Sequence, residues 1–175
     1  MDRTDKKPFE EVYDEYYEKV FKSAYMRLLN MDNTEDIVQD IFVKAMKAYD
    51  RFDPQISSVY TWLCTIATNT LYDHFRKTGS DKVVSLEDYM DAGLEPAADD
   101  PELEKLTEDN ARSAYVILSR LNETERKLIS MRFGLDMSYK EMAKELSSNE
   151  KAVGKRMERL LKKCRNIAEE SYIKI

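Results

Sequence analysis

Apolar residues recur every three or four positions along most of this chain, and nowhere do they alternate over the length of a strand. A sequence patterned in this way buries helix stripes against one another, so the expected fold class is all-α. Phe9, Val12, Tyr13, Tyr16, Val20, Ala24 and Leu28 share one stripe behind Pro8, a residue suited to a first helical turn. Ile37, Ile41, Phe42, Ala45 and Tyr49 make the second stripe, with Asn33 and Asp36 read as its N-cap and the partner three residues later. The stretch "RFDPQISS" then reads as a loop before a third helix from Val59 to Arg76.

Periodicity stops between Thr78 and about Glu104, where Gly, Ser, Ala, Pro and acids dominate. The charge divides there. Residues 1–77 hold 11 basic and 14 acidic side chains, residues 78–110 hold 2 and 11, and residues 111–175 hold 15 and 9. The three parts therefore carry −3, −9 and +6 of a total of −6, so most of the acidity belongs to the middle segment. Two small helical domains, 1–77 and 111–175, joined by an acidic flexible linker over 78–110, are the expected organisation. Domains of this size have marginal cores, which favours docking on a larger partner.

The second domain resumes at Ala114, Ile117, Leu118 and Leu121, with a new start capped by Asn122 and stopped by Gly134. Ser138 and Glu141 have the spacing of a capping box for a short helix carrying Tyr139, Met142, Ala143 and Leu146 on one face. The turn "SSNE" leads into "EKAVGKRMERLLKKCR", which holds seven Lys or Arg against two Glu. Val153, Met157, Leu160, Leu161 and Cys164 form its expected apolar stripe, leaving Lys151, Lys155, Arg156, Arg159 and Lys163 on other faces. A short helix, a tight turn and a longer basic helix make a helix-turn-helix, whose first turns, Asn149 to Arg156, would approach base edges while later cations meet phosphates. Gly154 would let the backbone approach DNA closely. The bland alternative is a solvated charged face, and a repressor would carry the same element.

Other classes find little support. No run approaches the roughly 18 apolar residues of a membrane span, and the charged start "MDRTDKKPFEE" lacks the apolar stretch of a signal peptide, so the expected location is cytoplasmic. Cys64 and Cys164 have no CxxC partner and His74 is the one histidine, a set that suggests neither disulfide framework nor metal site. Scattered acids and hydroxyls form no catalytic constellation, so no enzyme and no cofactor is expected.

"TEDIVQDIFVKAMKAYDRFD" followed by "VYTWLCTIATNTLYDHFRK" resembles region 2 of bacterial extracytoplasmic-function sigma factors, the group 4 branch of the sigma-70 family. The shared residues are Asp36, Gln39, Asp40, Tyr60, Thr61, Trp62, Leu63, Ile66, Ala67, Asn69 and Asp73. Leu121 to Arg165 likewise is similar to sigma region 4, and the two segments stand in the family's order and spacing.

The resemblance implies an alternative sigma factor that binds core RNA polymerase and directs promoter-specific initiation. Asp36, Gln39 and Asp40 would grip the β′ clamp helices, and region 4 would meet the β flap. The minus-10 element would be captured and melted by the loop Phe52–Ser58 and by Tyr60, Thr61, Trp62, Asn69, Arg76 and Lys77. Asn69 stands where the family has a base-reading asparagine, whose amide both donates and accepts. Trp62 either stacks on bases or is a buried core aromatic. The minus-35 element would fall to Asn149, Lys151, Ala152, Lys155, Arg156 and Arg159. Many family members begin this helix Ser-x-Gly-Thr-Val, whereas this chain reads "NEKAV", so the promoter sequence does not carry over. Glu150 either accepts from a cytosine amino group or caps the helix. An anti-sigma factor is the further expected partner. The rival readings are a stand-alone helix-turn-helix regulator that ignores core polymerase and a module that only captures another protein.

Overall fold

The computed structural model describes residues 6–79 and 113–172. Every element among these residues is a helix: α1 Phe9–Leu28, α2 Met31–Tyr49, α3 Val59–Thr78, α4 Glu123–Ile129 continued by a π turn Ser130–Gly134, α5 Tyr139–Glu145 and α6 Glu150–Tyr172. Residues 113–119 are helical as well. The acidic segment expected as a linker lies, but for its first two residues, outside the described residues.

α1 and α2 form a tight hairpin. Leu29 turns the chain with φ 51°, donating its N–H to the Tyr25 carbonyl at 2.8 Å. That conformation costs a non-glycine residue roughly 1–2 kcal/mol, offset here by burying its side chain to 3% exposure. The cap of α2 is Asn30, whose Oδ1 accepts from Asn33 N–H, and not Asn33 as the sequence suggested. Thr34 closes the same turn through its hydroxyl on Asn30 O. α3 starts at Ser58, whose Oγ accepts from Thr61 N–H, and ends on Gly79 at φ 58°. Val20, Ala24, Val38, Ile41, Leu63, Ala67 and Leu71 fill the space between these three helices. Tyr13, expected in the α1 stripe, is exposed and lies edge-on to Phe42 instead.

The second half obeys its local signals closely. Both capping boxes form: Asn122 with Glu125, and Ser138 with Glu141. α5 ends in a Schellman turn, in which Ser148 N–H reaches Ala143 O at 2.8 Å and Ser147 N–H reaches Lys144 O at 3.3 Å, with Ser147 at φ 48°. The buried stripe of α6 is Val153, Met157, Leu160 and Ile167, with Cys164 half-buried; Leu161 is exposed, one residue off that arc. The two halves share one continuous core, because α1 packs on α4 and on the π turn as well as on α2 and α3.

Candidate functional site

At a helix-turn-helix the useful surface is the arc of the second helix that its own fold leaves open. On α6, at about 100° per residue, Lys151, Ala152, Lys155, Arg156 and Arg159 spread over one side while Val153, Met157 and Leu160 face the core. The four cations are exposed, and none pairs with an acid among the described residues. Ala152 is half-buried between Arg159 and Arg156 on that arc and leaves a gap between longer side chains. Farther along, Lys163 is held by Glu125 at 2.8 Å, so it does not belong to the free set.

Asn149 is the cap of α6: its Oδ1 accepts from Ala152 N–H at 2.9 Å, which takes one of that oxygen's two acceptor positions and leaves the amide N–H₂ to meet a base. The capping role considered for Glu150 is therefore taken by its neighbour, and Glu150 stands exposed in the first turn. Gly154 does not face outward. A Cβ there would meet the Tyr139 ring at 3.7 Å, so this glycine lies under α5 and contributes no open backbone to the basic arc.

In the first half, Asp36, Gln39 and Asp40 are exposed on the side of α2 opposite its buried stripe, with Asp40 joined to Lys44 at 2.7 Å. Val43 and Met46 are exposed on the same helix at 42% and 55%, which makes this face mixed acidic and apolar. Sequence periodicity counted neither, because an apolar residue off the stripe carries no signal of its own.

The residues expected at the minus-10 site do not form one cluster. Asn69, Arg76 and Lys77 are exposed on α3, with Arg76 paired to Asp73 at 3.2 Å. Trp62 is half-buried against Phe52 and Tyr49, with ring centroids at 5.0 and 5.8 Å, so it is a packing aromatic in this state. Thr61 has its hydroxyl 2.9 Å from Ser58 Oγ at the start of the helix. Tyr60 projects from the face opposite Asn69, since nine residues of helix rotate it by about half a turn. Its hydroxyl donates to Leu135 O in the second half, and its ring packs on Tyr16 at 5.0 Å. Burial raises the Tyr60 phenol far above its ordinary range and pushes the neighbouring Cys64 thiol up to about 11. The loop between α2 and α3 is anchored by buried Phe52 and by Asp53 Oδ1, which accepts from Gln55 N–H at 2.8 Å. It displays Ile56 at 82% exposure, a residue whose position at a loop tip was invisible to periodicity.

Comparison with known proteins matches residues 12–80 to Sigma-70 region 2 and residues 111–164 to Sigma-70 region 4. The ECF RNA polymerase sigma factor BldN of Streptomyces coelicolor is 29% identical over 146 residues, and SigX of Bacillus subtilis, named likewise, is 27% identical over 159. The chain belongs to the sigma-70 family, in its extracytoplasmic-function branch. The match to BldN covers 83% of this chain but spans only about half, 54%, of that protein, whereas the match to SigX covers 90% and 81%. Two solved structures share the fold at a TM-score of 0.65 each: CnrH in complex with the cytosolic domain of CnrY, at 22% identity over 93% of this chain, and the Bartonella quintana sigma factor RpoE in complex with the anti-sigma factor NepR, at 21% over 92%.

In sigma terms, α1 to α3 are region 2 and α4 to α6 are region 4. No helix among the described residues of this sigma factor is long and apolar enough to cross a membrane.

Proposed function

We propose that this chain is an alternative sigma factor: it binds core RNA polymerase through α2, reads a minus-35 element with α6, and captures unpaired minus-10 bases with α3 and the loop before it. It acts in the cytoplasm by recruitment and has no catalytic step of its own. The observation that carries this reading is the joint presence of region 2 and region 4, in order, with the region 4 helix presenting four exposed cations that no described acid neutralises. Phosphate contacts by such cations release counterions, which supplies affinity, while Asn149 and Ala152 in the first turns meet base edges.

Region 2 would present Asp36, Gln39 and Asp40 to basic partners on the β′ clamp helices, with Val43 and Met46 supplying apolar contact beside them. Region 4 would rest on the β flap. Asn69 is the base reader, Arg76 and Lys77 meet phosphates, and Ile56 in the loop tip is positioned to enter the opened strand. The three assigned segments are region 2 at 1–77, an acidic linker at 78–110 and region 4 at 111–175. A protein partner of the anti-sigma kind also fits, given that both structural relatives were solved with such a chain or with a cytosolic domain bound.

Co-elution with core polymerase, set beside duplex binding without it, tests the reading. A sigma factor co-elutes, and Asp36→Lys with Asp40→Lys abolishes co-elution. Tight duplex binding with no co-elution would identify a stand-alone regulator.

A further inference from the structure

We propose that Lys6 is a positioning residue for capture of the opened promoter: it locks the exit of α2, so that the loop before α3 is held ready for the unpaired minus-10 strand. This rests on the sigma reading above and adds to it a residue outside both DNA-facing helices.

The chain leaves α2 through a tight turn, in which Arg51 N–H reaches Ala48 O and Phe52 N–H reaches Tyr49 O, each at 3.0 Å. Lys6 closes over that turn. Its ammonium donates to Tyr49 O at 3.0 Å and to Asp50 O at 3.2 Å, carbonyls of a helix end that has no further turn to satisfy them. The same nitrogen stands 5.6 Å from the ring centroids of both Tyr49 and Phe52. One cation thus serves two carbonyls and two rings at the negative end of the α2 dipole.

The segment that carries Lys6 is itself tied down. Pro8, at φ −52° and ψ 145°, leads into the start of α1 from an extended direction. The Tyr49 hydroxyl donates to Lys7 O at 2.7 Å, the Phe9 ring lies edge-on to Tyr49 at 5.3 Å, and Lys7 pairs with Glu15 at 2.8 Å. The ammonium is therefore delivered to the turn by a fixed backbone.

What hangs on the turn is the loop. From Arg51 to Ser58 the chain buries Phe52 and no other residue. The Phe52 ring stacks on Tyr49 at 5.9 Å and tilts against Trp62 of α3 at 5.0 Å. The direction of Asp53 to Ser57, and with it the placing of exposed Ile56, is set by one ring that Lys6 helps to fix. A loop held in its binding form before the strand arrives loses less conformational freedom on capture. Direct contact of Lys6 with a phosphate is the competing role, and salt separates the two. A cation that meets a phosphate of a single strand contributes about 0.7 to the slope of log affinity against log salt, whereas one that works through Phe52 leaves the slope alone.

The test uses the full chain bound to core polymerase, titrated with a fork probe whose minus-10 strand is unpaired. Lys6→Met keeps the stem and removes the charge with its N–H donors, while Lys6→Arg keeps charge and donors. Lys6→Met is predicted to weaken fork binding about 5-fold with the salt slope unchanged, leaving co-elution with core polymerase and affinity for a minus-35 duplex at the parent's level. Lys6→Arg is predicted to stay within about 2-fold of the parent, since a guanidinium also donates to carbonyls and stacks on rings. Amides of residues 51–58 should exchange hydrogen faster in Lys6→Met than in the parent. Unchanged fork affinity, a slope lowered by about 0.7, or an equal loss of fork, duplex and polymerase binding overturns the inference. If the parent neither binds polymerase nor prefers the fork probe, the sigma reading fails on its own. Exchange at residues 51–58 then still judges Lys6: faster exchange in Lys6→Met supports its hold on the loop, and unchanged exchange overturns it.

Discussion

The Tyr139 ring lies against Gly154, where a Cβ would sit at an ordinary 3.7 Å from the ring edge. This glycine, in the reading helix, is therefore not needed for close approach to DNA. Gly154→Ala is predicted to stabilise the protein by roughly 1 kcal/mol, the helix-interior cost of glycine, and to leave duplex affinity unchanged. Urea unfolding and a duplex titration check both parts. A loss of affinity would place residue 154 back at the DNA surface.

Trp62 and Asn69 should separate when substituted. Trp62→Ala removes a half-buried ring packed on Phe52 and Tyr49 and should destabilise the chain by about 3 kcal/mol. Asn69→Ala, at an exposed position, should leave stability within about 0.5 kcal/mol and weaken binding of the holoenzyme to a fork probe with an unpaired minus-10 strand by about 10-fold. Thermal melts beside fork-probe titrations distinguish the two. Equal loss of stability in both variants would contradict the geometry.

The basic arc makes a claim about salt. Lys155→Ala, Arg156→Ala and Arg159→Ala should each lower the slope of log affinity against log salt by about 0.9 for every phosphate contact removed. Lys163→Ala should change the slope little, since Lys163 is held by Glu125 at 2.8 Å. Titrations of a minus-35 duplex at several salt concentrations give the slopes directly.

Acid should loosen region 4 through its caps. Hydrogen bonds from Ser138 N–H and its hydroxyl hold the Glu141 carboxyl below its ordinary value. For Glu125, burial pushes upward, and the Lys163 and Asn122 hydrogen bonds outweigh it, leaving that carboxyl lowered too. Carboxyls lowered in the folded state bind fewer protons there than in the unfolded chain. Their contribution is thus complete above the ordinary carboxylate range and is lost as pH falls through the lowered folded values. The Glu141→Gln change keeps an oxygen that accepts from Ser138 N–H and loses only the charge at the helix start, so it should cost about 0.5 kcal/mol at pH 7 and nothing near pH 2. Unfolding curves across pH 2 to 7 measure the convergence expected on this basis. A constant difference would contradict it.

Local chemistry was the legible part of this sequence. Ser138 and Glu141 announced their capping box three residues apart, and Asn122 announced its own, because both partners lie within one turn. The cap of α2 was misread because Asn30 and Asn33 both suit the role, and only the backbone of Asn30, at φ −146° and ψ 126°, decides between them. Leu161 was counted in the α6 stripe and Ile167 was not, since the stripe's centre depends on where α5 packs. Gly134 read as a helix stop. Its contact with Ser23, like that of Tyr60 with Leu135, joins residues far apart in sequence, and no periodicity encodes such a pair. The exposed acids of α2 were found through resemblance, whereas Val43, Met46 and Ile56 needed coordinates.

Transcription from fragmented genomic DNA by core polymerase, with and without this protein, and with sequencing of RNA 5′ ends, tests the sigma assignment most directly. New start sites sharing two spaced upstream elements are the predicted result, and they should vanish with Asp36→Lys combined with Asp40→Lys. An unchanged set of starts, with duplex binding by the protein alone, would contradict it.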